Sequence, residues 1–165
     1  MKLQIYLFAA MTVLLAACGP SAVTAPGGAS VYRISASEAR QIPDRVVESV
    51  NSLRAAAGAS PVTLNPQLTA AAATHARDMS VQNRPWHFGS DGSSPLQRVQ
   101  RTGFAGQFLG ETISETYETE LETLAAWMEQ PDTRAIILDP RARSLGVAWH
   151  QEQSGKIWWT LVTGT

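Results

Sequence analysis

Cysteine is nearly absent: the 165-residue chain holds one, Cys18. That excludes a disulfide framework and any cysteine-rich zinc site. Lysine is scarce too, with only Lys2 and Lys156. No excess of either sign of charge exists, since 13 basic and 14 acidic residues leave a net charge of −1. This excludes binding to nucleic acid through a basic face, and no nucleic-acid partner is expected. Histidine occurs three times, so imidazole chemistry must come from His75, His87 or His150. Signature motifs are missing as well: no Gly-rich phosphate loop after a strand, no His-Glu-x-x-His pair and no G-x-S-x-G elbow. What remains is 44% hydrophobic and 16% charged, with 12 Gly and 9 Pro. That balance suits one domain with a real core and excludes wholesale disorder or a coiled coil.

The most specific signal lies at the N-terminus. Met1-Lys2 is followed by an almost wholly apolar run, Leu3 to Ala17, too short to span a bilayer comfortably. It ends in Leu15-Ala16-Ala17-Cys18-Gly19. This segment resembles a bacterial lipobox. The resemblance implies that residues 1–17 are a lipoprotein signal peptide and that Cys18 is acylated, with palmitate among its chains, as the first mature residue. Several acyl chains hold a protein on a membrane durably. An ordinary signal peptide with a chance cysteine is the alternative. Gly19 to Ser30 holds only Gly, Pro, Ser, Ala, Val and Thr, so residues 18–35 read as a lipidated flexible tether. Residues 36–165 form the domain. Gly19, not an acidic residue, follows the cysteine; this resembles the pattern for sorting to an outer membrane facing the periplasm and not to the inner membrane.

Within the domain, periodicity gives helices first and strands later. A helix is expected over Pro43 to Ala57, with Val46, Val50, Leu53 and Ala57 on one face and Gly58 as its stop. A second starts at Asn65-Pro66 and runs to about Gln82, with Leu68, Ala72, His75 and Met79 in one stripe. A short third begins at Pro95 behind Ser94 and ends by Gly103. A fourth begins near Thr119 in a Thr119–Glu122 capping box and buries Leu121, Leu124, Ala125 and Met128. Pro131 restarts a helical turn through Ile137. Strands are expected at Phe108 to Ser114, with Leu109, Glu111 and Ile113 on one side, and at Ser144 to Glu152 and Ile157 to Thr163. The last two are joined by a turn at Gln153-Ser154-Gly155-Lys156. This order suggests an α+β fold with helices packed on the faces of an antiparallel sheet.

Two side chains stand out as site candidates. His87 sits in Arg84-Pro85-Trp86-His87-Phe88-Gly89-Ser90-Asp91-Gly92, an irregular stretch where a titrating group suits function. Glu111 lies among Phe108, Leu109 and Ile113, so an inward orientation would desolvate its carboxylate unless a partner such as His87 compensates. Solvent exposure of Glu111 is the competing reading. His75, on an apolar stripe, reads as a buried histidine with one hydrogen-bond partner, and His150 as exposed. Trp86, Trp127, Trp149 and Trp158 read either as a binding surface or as core, with Trp149 and Trp159 on one hairpin face and Trp158 on the other.

The ordered blocks resemble a known family. Val50-Asn51-Ser52-Leu53-Arg54, Leu64-Asn65-Pro66-Gln67-Leu68, His75-Ala76-Arg77-Asp78-Met79, His87 with Gly89-Ser90-Asp91-Gly92, Gly110-Glu111-Thr112-Ile113, Trp127-Met128 with Pro131-Asp132-Thr133-Arg134, and the hairpin Leu145-Gly146-Val147-Ala148-Trp149 with Trp158-Trp159-Thr160 are similar to a bacterial CAP domain, the SCP-like extracellular superfamily. The resemblance spans about residues 46 to 163. It implies a three-layer α-β-α sandwich with a central antiparallel sheet and a surface cleft. In the family that cleft often holds two histidines and two glutamates, which in some members bind a divalent metal. His87 matches the first histidine and Glu111 the first glutamate. The second glutamate falls near Glu129 or Gln130. Thr133 stands where the second histidine is expected. Loss of that imidazole removes a strong zinc ligand, so no metal and no other cofactor is expected.

The favoured function is therefore an exported, lipid-anchored module of the cell envelope. Its partner would be the membrane through Cys18, and its degenerate cleft of His87, Glu111, Glu129 and Thr133 would bind a lipid, another envelope ligand or a protein without catalysing a reaction. The alternative is a protease-like hydrolase using His87 and Glu111 as acid and base. A purely structural envelope role is a third reading, and the sequence does not fix the oligomeric state.

Overall fold

Local hydrogen-bonding signals decide where the helices begin. The Ser35 side chain accepts the Glu38 N–H while the Glu38 carboxylate accepts the Ser35 N–H. This capping box starts helix α1, Ala36–Ala56. The helix thus begins well before Pro43, the start expected from the sequence. Pro43 lies inside it and leaves one ladder bond unmade, a defect the upstream box and a long buried face outweigh. The Asn65 side chain caps α2, Pro66–Gln82. Boxes at Ser94/Gln97 and Thr119/Glu122 open α3, Pro95–Arg101, and α4, Glu120–Glu129. A brief α5, Pro131–Ile137, follows.

The computed structural model describes residues 23–24 and 30–165; Cys18 and the signal-peptide reading fall outside the described residues. Among the described residues no helix is long and apolar enough to cross a membrane. Within the segment read as a tether, β1, Val23–Thr24, pairs antiparallel with β2, Ser30–Val31. Immediately after it, the Gln151 amide bonds the Tyr32 carbonyl and the Ile34 N–H. The Arg33 guanidinium donates to the carbonyls of Glu152 and Gln153. The chain is therefore fastened to one end of the domain before α1 begins.

Four strands form the central sheet: β3, Thr63–Leu64; β4, Phe108–Ser114; β5, Ser144–Gln151; and β6, Ile157–Gly164, in the order β3-β5-β6-β4. The β5–β6 and β4–β6 pairs are antiparallel as expected, and short β3 adds one parallel edge beside β5. The β5–β6 turn closes with the Glu152 N–H on the Lys156 carbonyl and places Gly155 at φ 101°, a conformation suited to glycine.

Side-chain alternation on β6 separates two cores. Ile157, Trp159 and Leu161 pack with Ile42, Val46, Val50, Leu124, Trp127 and Ile137 from α1, α4 and α5. Val162 and Ala148 pack with Leu68, Ala71 and Ala72 from α2. The result is the α-β-α sandwich, with each buried large aliphatic side chain contributing about 1.5–3 kcal/mol. Gly146 allows the second interface to be tight, because a Cβ there would stand 2.2 Å from the Leu68 carbonyl carbon and from the Thr69 nitrogen.

Two side-chain orientations differ from the sequence expectation, one on α4 and one on β4. On α4 the buried set is Glu120, Thr123, Leu124 and Trp127, while Leu121 is 48% exposed. Trp127 turns this face inward by donating its indole N–H to the Ile113 carbonyl at 2.9 Å, and Glu120 is drawn to Arg45 at 2.6 Å. On β4 a register shift between Phe108 and Gly110 sends Leu109 to the α1 side, away from Glu111. The tryptophans serve mainly as core: Trp127, Trp158 and Trp159 are buried, with Trp149 against Trp159 at 5.5 Å between ring centroids.

Arg54 ties the α1 layer together. It is fully buried and donates to the carbonyls of Ser60, Ile137, Asp139 and Ala142 at 2.8–3.1 Å. Burial is the main cause of a lowered guanidinium pKa there. Arg54→Met is expected to strand those carbonyls and destabilise the domain by about 3 kcal/mol or more. Urea unfolding followed by tryptophan fluorescence measures this; an unchanged midpoint contradicts the role given to Arg54.

Candidate functional site

The site is built around a carboxylate on a sheet strand. Glu111 sits opposite Val162 in the β4–β6 ladder, which aims it at the α2 side, and it is 5% exposed. A buried carboxylate demands compensating donors. Arg98, on the first turns of α3, supplies them: its Nη2 lies 3.0 and 2.9 Å from the two Glu111 oxygens. The same nitrogen reaches the His87 carbonyl at 2.9 Å, and Nη1 reaches the Ser93 carbonyl at 2.9 Å. Arg98 thus joins strand, helix and loop, while its Nε is buried without a partner.

The loop after α2 presents His87. Asn83 ends the helix in a left-handed conformation, φ 48°. The Asp78 carboxylate then accepts both the N–H and the hydroxyl of Ser90 at 2.6 Å. Gln82 accepts the Trp86 indole N–H and donates to the Phe88 carbonyl. Held in this way, His87 donates from Nδ1 to Glu111 Oε1 at 2.9 Å, and its side chain stays 49% exposed. In the neutral ring this fixes the proton on Nδ1 and leaves Nε2 with a free lone pair. The two candidates expected from the sequence therefore meet, and Glu111 faces inward.

His75 joins the same cluster from α2. It is fully buried, and its Nε2 lies 2.9 Å from the Trp86 carbonyl and 3.6 Å from Glu111 Oε1. The carbonyl needs a donor, so Nε2 carries the proton, and buried Nδ1 has no partner. Protonating Nδ1 would bury a cation with nothing to accept its hydrogen. Burial accordingly pushes the His75 pKa below its ordinary 6.5, against the pull of Glu111. The expectation of a buried histidine with one hydrogen-bond partner describes its bonding but misses its neighbour. Sequence reasoning gives Arg98 no role in the site, although Arg98 with Gly103-Phe104 belongs to the block after His87 that resembles the family. A usable signal is its place one turn after the Ser94-Pro95 helix start, where a side chain can reach back to the loop.

Glu129 and Thr133 do not enter the cluster through any hydrogen bond or ion pair among the described residues. Glu129 is exposed, and the Thr133 hydroxyl donates to the carbonyls of Trp127 and Gln130. Nor do three or more His, Cys, Asp or Glu side chains among the described residues converge to hold a metal ion. The donor set itself does not fit a divalent cation. Both oxygens of Glu111 are engaged by a guanidinium, so a second cation would have to displace or face the first.

Residues 47–163 match the family model of the CAP domain, described as the cysteine-rich secretory protein family. The chain belongs to that family of extracellular-type domains, here without the cysteines that give it its name. One relative is an uncharacterized protein, YkwD, of Bacillus subtilis strain 168, which is 30% identical over 114 residues. That match takes in 69% of this chain and 44% of the relative, so the chain spans less than half of that protein's length. Among solved structures, an outer surface protein from Borrelia burgdorferi superposes with a TM-score of 0.67 at 15% identity, over 82% of this chain and 98% of that one. An extracellular SCP-domain protein of Bacillus anthracis gives 0.66 at 18% identity, over 83% of this chain and 46% of that one. At these identities the structural likeness establishes the fold.

The His75 environment generates a pH prediction. A depressed native pKa means that the unfolded chain binds the proton more tightly, so stability falls as pH drops below about 6.5 and is level above it on this account. Denaturant midpoints of the wild type are expected to decline on going from neutral to mildly acid pH. His75→Gln, which keeps a donor for the Trp86 carbonyl, should flatten that decline. Equal slopes for both proteins would refute the assignment. Separately, Arg98→Ala is expected to cost about 3–5 kcal/mol by leaving Glu111 buried without its guanidinium, readable by calorimetry.

Proposed function

We propose that this protein is a lipid-anchored CAP-domain lipoprotein of the bacterial cell envelope, and that its Glu111–His87 cleft binds a ligand or partner without catalysing a reaction. The anchor rests on Cys18, the only cysteine of the chain, at the end of a short apolar run. The cleft reading rests on one observation above all: the charge of Glu111 is already matched by Arg98, and each of its two oxygens accepts from that guanidinium. A carboxylate so engaged is a fixed orienting group for His87. The half-exposed His87 ring then offers Nε2 as an acceptor to a donor group on a lipid or other envelope component.

The hydrolase reading keeps one supporting observation. A carboxylate that receives Nδ1–H and leaves Nε2 free is also the arrangement of a histidine base. No hydroxyl among the described residues is hydrogen-bonded to that ring, so the nucleophile would have to be water.

Native mass spectrometry of protein extracted from its own membrane tests both parts. Wild type is expected as a chain beginning at acylated Cys18 and carrying a co-purified ligand, which His87→Ala loses while staying folded. A mature chain without acyl mass overturns the anchor. Turnover of peptide or ester substrates that disappears in His87→Ala overturns the non-catalytic reading.

A further inference from the structure

The chain enters the domain at the end that also carries the site loop. Val31 lies against Gly155, where a Cβ would collide with its side chain, and Arg33 is bonded to the carbonyls of Glu152 and Gln153. The C-terminus of α2 stands beside the same β5–β6 turn: Ser80 donates to Glu152 at 2.8 Å, and the Lys156 Nζ is 3.4 Å from the Asn83 side chain. The loop holding Arg84, Trp86, His87 and Phe88 begins there.

This end differs from the rest of the surface. Val81 is 76% exposed, Phe88 48% and Tyr117 37%, half of the large hydrophobics exposed on the described surface. Phe88 stands 5.6 Å from Trp86, and the Arg84 guanidinium lies 3.9 Å over the Trp86 ring. Exposed apolar tips beside an amphipathic indole and a stacked arginine form the composition of a membrane–water boundary, where rings sit at headgroup depth and cations reach phosphates. The nearby acids are mostly engaged: Glu115 by Lys156, Asp78 by Ser90 and Gln82, Asp91 by Arg101, and Glu152 by Ser80, Trp158 and Ser154. Glu118 is the acid left facing outward. Arg84, and Arg77 one turn before Val81, have no ion-pair partner among the described residues.

Chain length sets the distance. Four residues lie between Cys18 and Val23, which pairs with Val31, and the five Cα-to-Cα steps span at most about 18 Å. We infer that the end formed by the β5–β6 turn, the C-terminus of α2 and the Arg84–Phe88 loop rests on the surface of the bilayer that holds the anchor. Val81 and Phe88 settle among the headgroups, and Arg77 and Arg84 face the phosphates of anionic lipids. The inference builds on the proposed acylation of Cys18. It adds an orientation that acylation alone does not impose, and it places the His87 ring beside the lipid surface.

Spin labels on the acylated protein, reconstituted in vesicles of phosphatidylethanolamine and phosphatidylglycerol, read this directly. Val81→Cys and Phe88→Cys report the docked end; Leu64→Cys, 37% exposed in β3 just before α2 begins and so at the far end, is the control. Accessibility to a water-soluble nickel complex is expected to fall several-fold at positions 81 and 88 relative to 64, and to recover in Arg77→Glu/Arg84→Glu. Labels at 81 and 88 as accessible as that at 64, on protein whose mass shows the acyl group, overturn the docking and leave the anchor standing. A mass lacking the acyl group overturns the anchor and the docking together.

Discussion

One guanidinium group organises the α2 side of the sheet. Arg98 is nearly buried, and its fork spans the Glu111 carboxylate, the His87 carbonyl and the Ser93 carbonyl. A lysine at that position would offer one compact charge and could not span those groups from a fixed plane. Without the arginine, Glu111 would face an apolar sheet with no cation to match its charge, and the loop would keep only the His87 hydrogen bond to the strand. The position of His87 is thus a consequence of how a buried carboxylate is neutralised.

The opposite layer solves its own problem by similar means. Arg54 inserts a cation among four carbonyls that cap the ends of other elements. Family names of this fold refer to cysteines, yet this chain has only Cys18, outside the domain. Two buried arginines gather irregular segments where a cross-link would otherwise be an available device. Guanidinium is well suited to this, since it is weakly hydrated and carries five donors in a rigid geometry.

Much of this is legible in the sequence. Asn65-Pro66, Ser94-Pro95 and Thr119 with Glu122 announce three helix starts because each satisfies backbone donors locally. The β5–β6 hairpin follows from alternation and a glycine turn. The α1 start is hard to read because proline suits a first turn as well as it disrupts an interior, whereas the Ser35 box lies outside the apolar stripe. The Leu109 orientation depends on a bulge that no local pattern marks. In the site, the His87 and Glu111 pairing is legible, because both are unusual residues for their surroundings. Arg98 and His75 are not. Each lies on a helix whose own sequence accounts for it, and only the packing of α2 and α3 over β4 brings them within reach of Glu111.

Gly146 sets a limit on how the α2 layer can behave. The backbone of α2 at Leu68–Thr69 rests directly on the strand, and neighbouring residues of β5 carry side chains where Gly146 carries none. Sliding the helix along the sheet in either direction would drive main chain into a methyl or larger group, so the contact acts as a detent with a single seat. The helix that bears His75 therefore keeps its alignment, while the loop beyond Asn83 is held by side-chain hydrogen bonds. Room for a bulkier occupant would have to come from rearranging that loop's side chains and not from parting helix and sheet.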